Sequence, residues 1–318
     1  MKIKKLMWIL LASIIIVILI AICFLGTGIK NKNDSSGKIT IAVTTFSAYD
    51  FVKQIAGDKV QLIYLLGPGV NEHGYEPSAK DLIDIQNSDI FIYVGGNMEK
   101  WIEKVLDTLD TSNTTAICLM DIVDLVEEQE IDGAQEEEDE EEFAYDEHIW
   151  SSLENAMVIV RYLADILSQQ DTINKELYDE NATQYINEIK NVKEQIKEIV
   201  DNRVRDRLVF GDKMPMQYFI NEFGLEVSAL FNGCSTETEP SVSSITYIID
   251  KVKEEDIPII LYIELNNGKV AEIIAEETEK RARQIQTLHN VSKTDFNAGE
   301  TYVSLMIRNL SVLKEALQ

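Results

Sequence analysis

From residue 39 onward, short runs of β-branched and aromatic residues alternate with stretches whose apolar positions recur every three to four residues. Residues 39–44, 60–66, 90–95 and 115–120 carry the runs and predict strands, while 49–56, 79–86 and 98–109 carry helical spacing. Strands that are apolar along their whole length need cover on both faces, so this repeated strand–helix unit predicts a parallel sheet between helical layers. The alternation then stops and restarts. Residues 207–210, 225–231, 257–265 and 282–288 predict strands; 216–223, 241–254, 269–280 and 298–317 predict helices. The expected fold class is therefore α/β, with two βα-repeat lobes, each on a parallel sheet.

Between the lobes, no glycine or proline occurs from residue 134 to residue 210. Ser151 with Glu154 three residues on predicts a capping box, followed by Leu153, Met157, Val160, Ala164 and Leu167 along one helical face. A second helix shows Ala182, Tyr185, Ile189, Val192, Ile196 and Ile199 as one apolar stripe. At ~1.5 Å per residue, residues 174–200 make a strut of roughly 40 Å, long enough to brace both lobes. The same stripe also fits an ordinary surface helix of a single lobe. The chain thus divides into an N-terminal segment 1–29, a linker 30–38, an N-terminal lobe 39–172, a linking helix 173–201 and a C-terminal lobe 202–318. Within the first lobe, thirteen of the twenty-one residues 127–147 are Asp or Glu and none is Lys or Arg. Like charges at that density repel, which predicts a mobile loop rather than a packed element.

A formal net charge of −26 excludes nucleic acid as a partner and favours cations as ligands. Lys2, Lys4 and Lys5 precede an uncharged apolar stretch over residues 7–26, close to the roughly 20 residues that cross hydrocarbon as a helix. The basic flank stays cytoplasmic, which places everything after residue 38 on the extracytoplasmic face of the membrane. The anchor reads as an uncleaved helix, with lipidation at Cys23 as the alternative: the residues before it resemble a lipoprotein cleavage box, except that Ile22 is not small. Cys23, Cys118 and Cys234 are too scattered for a disulfide framework or a thiolate zinc cluster, and Cys118 reads as a buried strand residue.

The chemistry rests on three histidines, His73, His148 and His289, each placed where a strand pattern gives way to a loop, as α/β sheets build their sites. Imidazole, largely uncharged at neutral pH and a borderline-soft donor, suits zinc. Taken singly, each histidine also fits a surface or hydrogen-bonded role. Trp150, two residues beyond His148, is placed to wall such a site, whereas Trp101, Tyr185 and Phe219 fit core stripes.

These residues carry a resemblance. His73-Gly-Tyr-Glu-Pro-Ser, Asp146-Glu-His148-Ile-Trp150, Glu239-Pro240-Ser241 and Gly299-Glu-Thr-Tyr-Val-Ser-Leu-Met306, continuing to Asn309, resemble segments of the cluster A-I solute-binding proteins of zinc and manganese ABC importers. The resemblance runs from about residue 39 to the C-terminus. It implies His73 and His148 as ligands, a third ligand after the first strand of the second lobe, and a carboxylate after its last strand. The sequence departs from both later positions: Gly211-Asp212-Lys213-Met214-Pro215 contains no histidine, and His289 stands where an aspartate is expected. An exchange restores the shell, with His73, His148, His289 and one oxygen in a near-tetrahedral arrangement within the inter-lobe cleft. Asp212 is the first choice for that oxygen, with Glu237 or Glu239 behind it, and a helix cap is the plainer role for Asp212. Three imidazoles favour Zn2+ over Mn2+, which prefers more oxygen donors.

The implied role is capture of the ion for an ABC permease and its ATPase, as a monomer with no catalytic function. The acidic run before His148 then acts as a funnel for cations or, equally, as a dispensable solvated loop. Two other classes compete. A zinc hydrolase would also use three histidines, but no His-Glu-x-x-His helix is present and four protein ligands leave no open position. A calcium-binding surface adhesin would use the acid run, but the spaced Asp/Asn/Gly loops of calcium modules are absent.

Overall fold

The computed structural model describes residues 37–70, 75–134, 145–233 and 239–318. Residues 39–318 form one compact unit. Strands β1 (Ile39–Val43), β2 (Val60–Tyr64), β3 (Ile90–Tyr93) and β4 (Thr115–Cys118) make a parallel sheet in the order β2-β1-β3-β4. Helices α1 (Phe46–Ala56), α2 (Ala79–Asn87) and α3 (Trp101–Leu106) connect them. After α4 (Leu153–Gln170) and α5 (Lys175–Asp201), strands β5 (Arg207–Lys213), β6 (Glu226–Phe231), β7 (Ile259–Ile263) and β8 (Arg281–Ile285) repeat the arrangement in the order β6-β5-β7-β8. The intervening and following helices are α6 (Gln217–Phe223), α7 (Val242–Glu254), α8 (Lys269–Glu277), α9 (Lys293–Ala298) and α10 (Tyr302–Leu317). In each sheet the chain leaves the first strand to one side and returns to the other, so a crevice opens at the carboxyl ends of β1 and β5.

Each sheet has an outer satellite core: Ala42, Leu65, Ile85, Phe91 and Ile102 under α2 and α3, and Val209, Ile248, Ile260 and Ile274 under α7 and α8. The inner faces share a single continuous core. It runs from Ile41 and Phe51 through Leu163, Tyr185 and Ile189 to Phe210, Leu261 and Leu313. The long helix α5 joins them physically: its buried residues Tyr178, Ala182, Tyr185, Ile189, Val192, Ile196 and Val200 form one stripe. That stripe packs on α1, α4 and α10, elements of both lobes. Asn181 Nδ2 donates to Ile55 O at 2.9 Å, and Gln318 Nε2 donates to Ile199 O at 3.1 Å, so opposite ends of the helix are tied to opposite lobes.

Three expectations change. The cap of α4 is Ser152, whose Oγ accepts from Asn155 N at 3.1 Å. Ser151 is instead used by a short 3-10 turn, Ile149–Ser151, that follows His148 directly. Helix α9 was not expected; its six residues carry no buried side chain and hence no apolar period. The acidic segment, finally, is partly packed. Residues 127–134 cross to the second sheet, where Ala229 N donates to Asp132 O at 3.1 Å, and Asp132 also receives Arg207, Ser228 and Tyr247. Glu127 pairs with Tyr145 in an antiparallel bridge, and Gln217 donates to Glu127 O at 2.6 Å. Arg207 and Lys251 of the second lobe thus pair with Asp132 in this first part of the run; the acidic residues 136–142 lie outside the described residues. So does the expected N-terminal membrane segment with Cys23, and among the described residues no helix is long and apolar enough to cross a membrane.

Candidate metal centre

The side chains of interest come from the segment that enters α4 and from the carboxyl ends of strands in the second sheet. His148 follows the return of the acidic segment and starts the 3-10 turn that enters α4, with its backbone N–H donating to Asp146 Oδ1 at 2.8 Å. The same oxygen lies 3.3 Å from His148 Nδ1, which directs the other ring nitrogen away from Asp146. His289 follows β8 in the loop that starts at Gln286. The two imidazoles come from different lobes, and their ring centroids are 4.9 Å apart at 81°. Trp150 is stacked on His289 at 5.7 Å and meets His148 edge-on at 5.4 Å, so the indole walls the pair as its position in the sequence suggested. Trp150 Nε1 donates to Thr287 O at 3.2 Å, and Tyr302 OH donates to Trp150 O at 2.9 Å, so the wall is itself pinned to the second lobe.

His289 is held by Glu264, a residue the sequence did not single out. Glu264 follows β7, is buried, and accepts from His289 N at 3.0 Å, Thr287 N at 2.7 Å and Thr287 Oγ1 at 2.8 Å. Burial raises the Glu264 pKa against these hydrogen bonds. Its partners are two backbone amides and one hydroxyl of a loop distant in sequence, which no sequence pattern reveals. For His289, enclosure pushes the pKa down to about 4, assisted by the Lys213 charge and opposed by Glu264 and Asp146. The imidazole is therefore neutral at pH 7 and can offer a lone pair without first losing a proton. His289 Nε2 lies 3.2 Å from Met98 Sδ, a thioether from the loop after β3.

Met98 is fixed by Glu147, the neighbour of His148. The buried Glu147 carboxylate accepts from Met98 N with both oxygens, at 2.8 and 3.0 Å. Gly96 passes so close, at φ 76°, that a Cβ there would lie 2.4 Å from Glu147 Oε1, which only glycine allows. Burial raises the Glu147 pKa to about 7, with the Met98 hydrogen bonds and the His148 charge acting the other way. Glu147→Ala is expected to destabilise the apo-protein by ~1–3 kcal/mol, because the Met98 N–H loses its acceptor. Glu147→Gln keeps an acceptor. The raised pKa favours the protonated fold, so wild type should lose stability relative to Glu147→Gln as pH rises from 4.5 through about 7. Urea titration across that range measures both effects.

Asp212 lies at the end of β5, as expected, and its carboxylate is engaged by neighbouring donors. Oδ1 accepts from Lys213 N at 2.8 Å and Asn266 Nδ2 at 2.9 Å, and Oδ2 accepts from Ile263 N at 3.1 Å, which ties β5 to the β7–α8 loop. Burial raises its pKa. Glu239 is exposed in the turn before α7. His73 and Glu237 lie outside the described residues, and among the described residues no three His, Cys, Asp or Glu side chains converge on one point.

Comparison with known proteins places this arrangement. Residues 41–316 match the sequence model of a family described as ZnuA, zinc-uptake complex component A, periplasmic. The chain is 30% identical over 288 residues to the zinc-binding lipoprotein AdcA of Streptococcus pneumoniae R6, covering 90% of this chain and 57% of that one. Thus it spans little more than half the length of that relative. It is 28% identical over 307 residues to the high-affinity zinc uptake system protein ZnuA of Bacillus subtilis, covering 94% and 96% of the two chains. The crystal structure of the Zn(II)-bound ZnuA-like domain of Streptococcus pneumoniae AdcA superposes with a TM-score of 0.74 at 30% identity, over 88% of this chain and 99% of that domain.

Proposed function

The chain belongs to the ZnuA family, and on that premise we propose that it is an extracytoplasmic solute-binding protein that captures Zn2+ and delivers it to an ABC permease and its ATPase. The single observation that carries this reading is the pair His148 and His289, brought from separate lobes to 4.9 Å between ring centroids against one tryptophan. His73 completes three nitrogen donors in the reading. Asp212 is the oxygen donor named by sequence position, yet three hydrogen bonds already occupy it. In our reading it stays with the β7–α8 loop, and the fourth donor comes from the segment that carries Glu237 or from water. Three imidazoles suit zinc better than manganese, whose preferred shell is richer in oxygen.

Donors from both lobes form a full shell only while the lobes are apposed, so the ion stabilises that arrangement. The shared core and the α5 strut oppose wide opening. We infer that capture and release use small tilts, with release driven by docking on the permease. An N-terminal helix or a lipidated Cys23 holds the protein at the membrane in this reading. Competition of the purified apo-protein between Zn2+ and Mn2+ at one pH tests the cargo. Tighter manganese binding reverses the assignment, and absence of stoichiometric binding of either ion removes the reading.

A further inference from the structure

Residues 67–70, after β2, meet the second lobe through contacts centred on Asn290. Asn290, the residue after His289, is buried, and its Nδ2 donates to Gly67 O at 3.3 Å and Val70 O at 2.5 Å. Its Oδ1 accepts from Tyr64 OH at 2.8 Å and from Val291 N at 2.6 Å. Beside it, Gly69 N donates to Val291 O at 2.8 Å, a backbone bond between lobes, and a Cβ at Gly69 would sit 3.3 Å from Lys293 Cγ. An aromatic cluster backs the junction: Tyr49 and Tyr64 of the first lobe pack on Phe296 of α9 with centroids 5.3 and 6.1 Å away. One side chain thus accepts from the end of β2 and donates to the stretch that follows it in the opposite lobe.

We propose that Asn290 is a positioning residue that couples the lobes at the metal centre and sets how long the ion stays bound. Its backbone continues directly from His289, while its side chain grips Gly67 and Val70 of the first lobe. The stretch that follows His289 is therefore tied to the first lobe by the Asn290 amide and the Gly69–Val291 bond, before any ion arrives. An ion leaving the site requires one donor to move away first, and this grip resists that movement. An amide fits the role because one planar group supplies an acceptor for Tyr64 and a two-proton donor for two carbonyls. Aspartate would keep the first and set negative charge against the second.

The inference rests on the zinc reading, and the experiment separates the two. Wild type, Asn290→Ala, Asn290→Asp and Tyr64→Phe are loaded with Zn2+, and release is followed after addition of excess chelator. The apo thermal midpoint is measured in parallel. Release from Asn290→Ala and Asn290→Asp should be at least ~10-fold faster than from wild type, in the range expected for outer-shell partners of a metal site. Tyr64→Phe, which leaves the grip on Gly67 and Val70 intact, should release within a few-fold of wild type. If wild type takes up no zinc, the function reading fails. If wild type binds and both Asn290 variants release at the wild-type rate, the coupling role is wrong, whatever their thermal midpoints. A purely structural role would lower the apo midpoint without changing release. Should the Asn290 variants not fold, hydrogen exchange in wild type decides: the Gly69 amide must gain protection on zinc loading, and an unchanged exchange rate overturns the proposal.

Discussion

Replacing His148 or His289 with alanine is expected to weaken zinc binding by more than ~100-fold, beyond what removal of an outer-shell partner costs. The two rings are centred 4.9 Å apart and share Trp150 as a wall, so an ion that contacts one ring is within reach of the other. Truncating either breaks this pair, so the ion loses one of its three imidazole donors and the contact that joins the two rings across the lobes. A hundredfold loss corresponds to about 2.7 kcal/mol, since each tenfold step is about 1.4 kcal/mol. The same figure is the stabilisation that wild type gains at a zinc concentration 100 times its Kd, about 2.7 kcal/mol. At about 2–4 °C per kcal/mol for a domain of this order, zinc should raise the wild-type Tm by roughly 5–10 °C. At that zinc concentration both alanine variants should show little of this rise while unfolding in the apo form near the wild-type temperature. Isothermal titration with a competing chelator and thermal unfolding with and without zinc give the two numbers. A variant that keeps both the affinity and the thermal shift removes its histidine from the centre.

The fold was legible because burial leaves a periodic trace. Strands covered on both faces, such as β1 and β3, become continuous apolar runs, and the one-sided α5 becomes a stripe with a period near 3.6 residues. Helix α9 packs through a single partly buried apolar residue, Phe296, and so left no periodic trace. At the site, histidine was visible because it is rare in this chain. Glu264, Glu147 and Asn290 were not, since their partners are mostly backbone groups from distant segments, and an ordinary acidic or amide residue gives no hint of them. Asp212 shows the converse: its position at the end of β5 was readable, but the three donors that engage it come from Lys213, Ile263 and Asn266, two of them across the sheet. The acidic run was read from charge density alone, which omits that Arg207 and Lys251 stand opposite Asp132.

The largest stability effect away from the histidines is expected at Asp50. This buried carboxylate of α1 accepts from Tyr185 OH on α5, from Tyr302 N at the start of α10 at 2.9 Å, and from Gln54 Nε2 at 3.0 Å. Three elements that belong to the first lobe, the strut and the second lobe therefore meet on one side chain. Asp50→Ala leaves two buried donors, the Tyr185 hydroxyl and the Tyr302 amide, without an acceptor. At ~1–3 kcal/mol for each, the expected loss is roughly 2–6 kcal/mol. Burial raises the Asp50 pKa above its ordinary value of 3.8, so charging the group works against the fold. The sign follows: the folded state holds the proton more tightly than the unfolded chain, and the stability this confers is present at low pH and lost as pH rises through the folded pKa. Asp50→Asn keeps an oxygen acceptor and removes the charge. It should therefore cost far less than Asp50→Ala, and its stability relative to wild type should improve as pH rises past the ordinary carboxylate range. Urea unfolding of the three proteins at pH 5 and pH 8 reads both comparisons. Because the same junction ties both lobes to α5, zinc release from Asp50→Ala should also quicken, whereas Asp50→Asn should release zinc at the wild-type rate. Equal losses for the two variants would mean that the charge of Asp50, rather than its acceptor geometry, holds the lobes together.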